Sequence, residues 1–275
     1  MVKKMRQIGL LFLVAVCFLL VGSSWVVAEV LEMVTDRPDA TESSETILPG
    51  YVQIESGMTF FDEDEGGVES SGFAAPETLV RIGLDQNSEL RLEFAGYQQL
   101  RERSAGGSTS KTNGYGDGGI GFKMKLGKNE QLGDVAFLAM TTLPWGQSEV
   151  TSGRVEPSYR FTFAQDINED LSFGCNLGQA WVSEEDRSGD KDTRSVFQYT
   201  LSLGISMTDR LGSFVEFFGD VPTGSGSSGP ANSFNGGFTY LLKENVQLDL
   251  VSGVGLSGSA EDWFIGAGIS IRLPN

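Results

Sequence analysis

The sequence contains no histidine, so it cannot supply an imidazole as a general base or as a metal ligand. Ser-His-Asp and Cys-His catalysis are therefore excluded. Carboxylates are abundant and could in principle cleave a glycoside, but no spacing singles out two of them. We predict that the chain is not an enzyme and that it has no catalytic residue, no cofactor and no metal site.

Long hydrophobic runs are missing except near the N-terminus. A positively charged start is followed by an apolar stretch over residues 8–21 and by the small-residue sequence Val26-Val27-Ala28. This arrangement is typical of a secretory signal peptide, and the apolar stretch is shorter than the ~20 residues that a membrane-spanning helix needs. We predict a signal peptide over residues 1–28, with a single membrane anchor as the less favoured alternative.

Cysteine and positive charge are scarce in the rest of the chain. Cys175 is the only cysteine after residue 28, so no disulfide can form within the exported chain even in an oxidising compartment. Acidic residues outnumber basic ones by 37 to 20 over the full sequence, which gives a net charge of −17. A surface of this sign repels polyanions, and we predict no nucleic-acid partner.

The chain consists instead of short segments that alternate apolar and polar residues from position 50 to position 273. In residues 197–207, large apolar side chains occupy every second position, and Gln, Thr, Ser or Gly stand between them. A period of two predicts β-strands and not helices. The twelve predicted strands span residues 50–61, 77–85, 89–100, 118–126, 134–143, 154–165, 171–183, 196–207, 211–221, 233–242, 246–256 and 263–273.

The predicted connections alternate between tight polar turns and longer stretches. The longer ones cover residues 62–76, 101–117, 144–153, 184–195, 222–232 and 257–262. Short turns on one side and long loops on the other are typical of outer-membrane barrels, in which a closed sheet pairs every backbone group. We therefore predict an all-β fold, a membrane-spanning up-and-down antiparallel β-barrel of about 12 strands over residues 50–275, in the outer membrane of a Gram-negative envelope. A soluble β-sandwich is the alternative.

The polar face of the predicted strands carries charges that would be costly against lipid, so we expect it to line the interior. Opposite charges on neighbouring strands could form ladders, such as Glu55 with Arg81 and Arg91. Lys123 and Lys125 could likewise pair with Glu93. These pairs would either brace the wall or select solutes. The candidate selectivity residues are Glu55, Arg81, Arg91, Glu93, Lys123, Lys125, Glu156 and Arg160, and the other inward charged or amide residues are Gln53, Glu216, Asp249 and Arg272.

Residues 29–49 precede the first predicted strand and carry several charges and two prolines. They could extend into the periplasm, or they could fold back into the barrel as a plug. In the second case Asp36, Arg37 and Asp39 would meet the inward charges of the wall. We retain both arrangements at this point and name these three residues as plug candidates.

Two strings near this segment carry a family resemblance. Residues 35–43 (TDRPDATES) and 49–57 (PGYVQIESG) resemble the opening of the outer-membrane transporter-like family labelled "putative meta-pathway phenol degradation protein". Weaker similarity follows at residues 77–84, 89–92, 116–121 and 142–144. The resemblance implies an outer-membrane barrel that moves small aromatic or hydrophobic molecules, and it supplies no catalytic residue. The chain ends Ile271-Arg272-Leu273-Pro274-Asn275, whereas barrels of this type often end on an aromatic residue.

We therefore expect passive or gated passage of small solutes through a narrow, porin-like pore. A twelve-stranded barrel is intermediate between small barrels filled by side chains and ~16-stranded porins with an open channel. The rival hypothesis is a non-conducting structural or surface-interaction protein of the outer membrane. The expected partners are outer-membrane lipid, small-molecule solutes and the barrel-assembly machinery.

Overall fold

The computed structural model describes residues 33–185, 191–223 and 229–274. The predicted signal peptide at 1–28 and the first residues of the predicted N-terminal extension lie outside the described residues. No helix among the described residues is long and apolar enough to cross a membrane.

The described chain forms strand segments joined by turns and loops. Fourteen segments are found within it: β1 (Val52–Glu65), β2 (Val68–Asp85), β3 (Ser88–Phe94), β4 (Tyr97–Ser104), β5 (Thr109–Tyr115), β6 (Gly118–Asn129), β7 (Gly133–Leu143), β8 (Glu156–Asp166), β9 (Leu171–Glu185), β10 (Lys191–Ser206), β11 (Leu211–Thr223), β12 (Ala231–Lys243), β13 (Val246–Gly255) and β14 (Trp263–Leu273).

The sheet closes on itself because β1 pairs antiparallel with both β2 and β14, and Val52 lies opposite Leu273 at the seam. The segments β3 and β4 follow one line, interrupted at residues 95–96, since both pair with β2. In the same way β5 continues into β6 across residues 116–117, and these two pair with β4 and β3. The wall therefore has twelve strands, and the predicted twelve-stranded antiparallel closed barrel is confirmed.

Several predicted long loops are wrong, because the strands continue into them. Residues 62–76 form the ends of β1 and β2 around a turn at Gly66 and Gly67, whose φ angles are 62° and 83°. Residues 101–117 form most of the β4–β5 hairpin. Their outer parts, residues 62–71 and 101–114, are mostly polar on both faces, so they lack the period of two that a half-apolar strand shows. Backbone pairing extends the sheet past the point where one face meets lipid.

The distribution of side chains is the reverse of that in a soluble protein. On β10, Leu201 points outward with 43% of its surface accessible, whereas its neighbours Thr200 and Ser202 point inward and are each 6% accessible. The largest fully buried side chains of the described chain are mostly charged, and Arg81 and Arg91 are the two largest. A β-sandwich would bury its apolar face, so this alternative is rejected.

We expect Leu201→Lys to lower the free energy of unfolding by ~2–4 kcal/mol, because it places an ammonium group against lipid near the middle of β10. The matched control is Leu242→Lys, near the end of β12, where the same change should cost only ~0–1 kcal/mol. Urea titrations of the protein refolded in phospholipid vesicles, followed by tryptophan fluorescence, measure both values. Equal costs at the two positions would contradict the outward placement of Leu201 in the bilayer.

Candidate functional site

The segment over residues 33–49, which we call the inner segment, lies inside the barrel. At its start, the carbonyl oxygen of Val34 accepts a hydrogen bond from Gln53 Nε2 at 2.8 Å. At its end, Pro49 forms an isolated parallel bridge with Gly83 on β2. Its middle reaches the opposite wall, where Thr41 Oγ1 donates to Glu216 Oε1 on β11 at 2.6 Å. The inner segment therefore crosses the interior and returns to the wall beside β1.

Asp36 on the inner segment lies among three cations of the wall. Its Oδ2 atom is 2.6 Å from Arg91 Nη1, 3.0 Å from Lys123 Nζ and 3.1 Å from Arg81 Nη1. The three cationic side chains are fully buried, and we call them the cation trio. Burial alone raises the pKa of Asp36, but the positive charges of Arg81, Lys123 and Arg91 outweigh it and hold the pKa well below its usual range.

Neighbouring strands bring the cation trio together. Arg81 on β2 lies opposite Arg91 on β3, and Glu89 on β3 lies opposite Lys123 on β6. Because side chains on one face of a sheet repeat every second residue, these positions all project inward. The wall also supplies two anions, since Arg81 Nε is 2.9 Å from Glu89 Oε1 and Arg81 Nη1 is 3.2 Å from Glu55 Oε1. The trio is therefore embedded in a fully buried ionic network.

A second carboxylate of the inner segment also reaches the cation trio. Glu42 Oε2 is 2.7 Å from Arg91 Nη2 and 3.7 Å from Lys123 Nζ. Its backbone N–H donates to Asn176 Oδ1 on β9 at 2.7 Å, which fixes the chain direction at this point. The Glu42 side chain is 15% accessible, so it lies closer to open space than Asp36, at 2%.

Beside the trio, on the wall formed by β1, β14 and β13, Arg37 Nη2 forms an ion pair of 3.1 Å with Asp249 Oδ1 on β13. Two wall glycines make room for this side chain, because a Cβ atom at Gly57 or Gly268 would collide with the Arg37 guanidinium. The absence of side chains at these two positions is therefore a packing requirement of the inner segment. An arginine side chain at position 37 needs both the Asp249 counter-ion and the space that the two glycines leave.

Asp39 occupies a different environment from Asp36. Its Oδ2 atom accepts a hydrogen bond of 3.3 Å from Ser202 Oγ on β10, and the Glu216 carboxylate lies nearby. Burial and the negative charge of Glu216 raise the pKa of Asp39 well above its usual range. Glu216 itself accepts hydrogen bonds from the Ala40 backbone N–H and from Asn235 Nδ2. The two aspartates of the inner segment thus meet opposite electrostatic conditions.

The structure brings together four of the eight candidate selectivity residues. Glu55, Arg81, Arg91 and Lys123 lie in the fully buried network. The expected pairing of Lys123 and Lys125 with Glu93 is not what the structure has. Lys123 binds Asp36 and Glu42, while Lys125 binds Glu45. Arg91 binds Glu89, Asp36 and Glu42 rather than Glu55. The other candidates, Glu93, Glu156 and Arg160, are only partly buried and line cavities.

Sequence reasoning missed Glu42, Glu45 and Glu89 as members of the network. Glu89 has the same parity as Arg91 and Glu93 on β3, so the period of two could have placed it on the inner face. Glu42 and Glu45 lie in a segment without regular structure, where no periodicity assigns a direction to a side chain. Their partners become known only from the folded chain.

Among the described residues, we find three cavities that border the inner segment on the side of the long connections. The first, of about 480 Å³, is lined by Arg37 and by Glu77, Glu93 and Glu156 of the wall. The second, of about 210 Å³, includes Glu42 and Arg160, and the third, of about 150 Å³, includes Ala40 and Arg160. Adjacent cavities share lining residues, so they follow one another around the segment.

Each cavity combines polar groups with apolar side chains of the inward face. Leu79 lines the first cavity, Leu138 and Ala180 line the second, and Phe218 lines the third. Cavities that mix apolar surface with a few polar groups are typical of small-molecule sites.

Among solved structures, the COG4313 outer membrane channel from Pseudomonas putida F1 is similar to this chain, with a TM-score of 0.66 and 14% identity over 84% of this chain and 98% of that one. The NanC porin has a TM-score of 0.52 and 10% identity over 81% of this chain and 100% of that one. At these identities the likeness shows the fold, which is that of an outer-membrane channel. Both structures are named as channel or porin rather than as an enzyme.

No protein of curated function matches the chain in sequence. The model of one protein family matches residues 35–273, a range that includes most of the inner segment and all strands from β1 to β14. Together with the outer-membrane channel fold, this match places the protein in the outer membrane. The chain belongs to the family described as "Putative MetA-pathway of phenol degradation".

Proposed function

We propose that this protein is an outer-membrane channel for small solutes, including aromatic ones, and that the inner segment is its gate. This proposal rests on one observation: residues 33–49 cross the interior and are held there mainly by contacts that involve side chains. Within the described part of the chain, we find one place where the backbone of these residues pairs with a strand, the isolated bridge between Pro49 and Gly83. Such a segment can leave the interior without breaking the barrel sheet.

The energetics of the ionic network suit a gate. Breaking a buried ion pair by removing one partner costs ~3–5 kcal/mol, because the other charge stays buried and unpaired. When the whole inner segment leaves, water enters and hydrates the charges of both sides, so the lost Coulomb energy is largely offset. The closed state is therefore stable against loss of a single contact, while concerted release of the segment has a moderate cost.

The cavities support small, partly apolar solutes. The first cavity is about 480 Å³, and apolar residues such as Leu79 and Val150 line it together with carboxylates. This volume falls in the range of small-molecule sites. The family description names phenol degradation, which agrees in chemical class with a cavity that offers apolar surface and hydrogen-bond acceptors. We propose small aromatic molecules as the solutes, with Glu93, Glu156 and Arg160 contacting them.

We expect deletion of residues 29–45 to raise the single-channel conductance in planar bilayers several-fold, because it removes the part of the chain that fills the interior. Phenol should also enter liposomes faster through this variant, as measured by swelling. The control replaces residues 33–45 with a Gly-Ser sequence of equal length, which keeps the chain but removes its charged contacts, and it should behave like the deletion. Unchanged conductance and no solute entry with correctly folded protein would support the non-conducting rival.

We expect Asp36→Asn to loosen the inner segment, because it leaves the cation trio without its central anion. A loss of ~3–5 kcal/mol in local stability corresponds to backbone amide exchange faster by about a hundredfold or more. Hydrogen exchange of residues 36–42, in protein held in lipid nanodiscs, measures this effect.

The matched control is Asp39→Asn, which makes the same chemical change three residues away. Asp39 has one hydroxyl donor at 3.3 Å and the negative Glu216 beside it, so loss of its charge should leave the exchange rates almost unchanged. If both variants accelerate exchange equally, the cation trio is not what holds the inner segment.

A further inference from the structure

We propose that the cation trio of Arg81, Arg91 and Lys123 is a binding site for the carboxylate of a small organic anion. Asp36 and Glu42 occupy this site as an internal substitute, and the solute displaces them. The inference rests on the proposed function, since it names a substrate class and an opening stimulus for the gated channel.

The donors and the acceptors of this site belong to different parts of the fold. Arg81, Arg91 and Lys123 project from paired strands, so their positions are fixed by the barrel. Asp36 and Glu42 belong to the inner segment, which has no strand pairing at these residues. A rigid set of donors with acceptors on a separable segment is the arrangement that competitive displacement requires.

The charge of the wall leaves room for one monoanion. The cation trio faces two wall carboxylates within the network, Glu55 and Glu89. Without the inner segment, these five buried groups carry an excess of one positive charge. Buried charge that is not compensated is costly, so the emptied site favours entry of a single carboxylate.

One donor of the trio is still open with the inner segment in place. Asp36 takes Arg91 Nη1 and Glu42 takes Arg91 Nη2, whereas Arg91 Nε is fully buried and meets no acceptor among the described residues. A carboxylate that approached side-on would bind Nε and Nη2 together, in the bidentate geometry that arginine forms best. The two internal carboxylates do not use this geometry, so a solute can bind Arg91 better than they do.

A solute can reach the site from the second cavity. Glu42 forms part of the lining of this 210 Å³ space, beside Arg160 and Gln198. A carboxylate there would be attracted by Arg160 and would compete first with Glu42, which is the more accessible of the two internal anions. The negative charge of Glu93, in the same cavity, slows the approach of the carboxylate more than it lowers the final affinity.

Competition with a tethered group sets the expected concentration range. Groups linked by a short flexible segment act at an effective concentration on the order of millimolar. A solute that binds the trio only as tightly as these groups do must therefore reach millimolar concentration to displace Asp36 and Glu42 from the wild-type protein, and a tighter one needs less. Removal of both internal carboxylates should lower that concentration by about tenfold or more.

The test measures binding of radiolabelled benzoate by equilibrium dialysis, with the full protein in lipid nanodiscs and empty nanodiscs as background. Benzyl alcohol, which has the same ring without the charge, is the comparison ligand. We expect the double variant D36N/E42Q to bind benzoate at least about tenfold more tightly than the wild type. Benzyl alcohol binding should be the same for both proteins. If the double variant fails to fold, E42Q alone replaces it in the test. E42Q should then show a smaller gain in benzoate affinity over the wild type.

A matched pair of lysines locates the site. Within the D36N/E42Q background, K123Q should abolish the gain in benzoate affinity, because Lys123 belongs to the trio. K125Q changes the same residue type on the same face of β6 and should leave the affinity unchanged, since Lys125 pairs with Glu45. Equal effects of the two lysine variants would overturn the proposal, and so would equal benzoate binding by the wild type and D36N/E42Q.

The outcome is separable from that for channel function. Liposome swelling with phenol tests passage, whereas dialysis tests binding without passage. If phenol enters but benzoate binding does not depend on Lys123, the channel stands and the carboxylate site is wrong. If benzoate binding follows the charges but no variant conducts, the site stands and the channel is wrong.

Discussion

The interaction on which the rest of this structure depends is the contact between Asp36 and three buried cations. A barrel wall in lipid turns its apolar face outward, so its polar face has to be satisfied inside. On β2, β3 and β6 that face carries Arg81, Arg91 and Lys123, and the two wall carboxylates do not balance them. The inner segment supplies the missing negative charge, and its position in the barrel follows from this requirement.

The same requirement explains the unequal walls of the interior. The β2–β3–β6 side holds the inner segment by ion pairs, whereas the β9–β11 side holds it mostly by neutral and backbone hydrogen bonds, such as that from the Glu42 N–H to Asn176. The buried ion pairs contribute most to holding the inner segment in place. Removing one partner of such a pair leaves the other charge buried and unpaired, at a large cost in free energy. Neutral hydrogen bonds contribute ~0.5–1.5 kcal/mol each and mainly fix the path of the chain.

The sequence predicts the barrel well because one physical rule governs every spanning strand. Residues 197–207 alternate without exception, and the structure pairs residues 197–205 with both β9 and β11 in continuous register. The rule fails for residues 101–117, where both faces of the β4–β5 hairpin are polar and no period is visible. It also fails for residues 95–96, where the structure interrupts a strand that the sequence predicts as continuous. Pairing in these places depends on neighbouring strands, which a single segment does not encode.

The site is only partly predictable for a related reason. The inward direction of Arg81, Arg91 and Lys123 follows from strand parity, and charge complementarity makes Asp36 a reasonable partner. The register of the inner segment against the wall follows no period, so the sequence cannot assign Lys125 to Glu45 rather than to Glu93. A segment held by sheet pairing would have been easier to predict and harder to move. Because this one is positioned by charges that water can also stabilise, the feature that limits prediction is the one that permits a reversible gate.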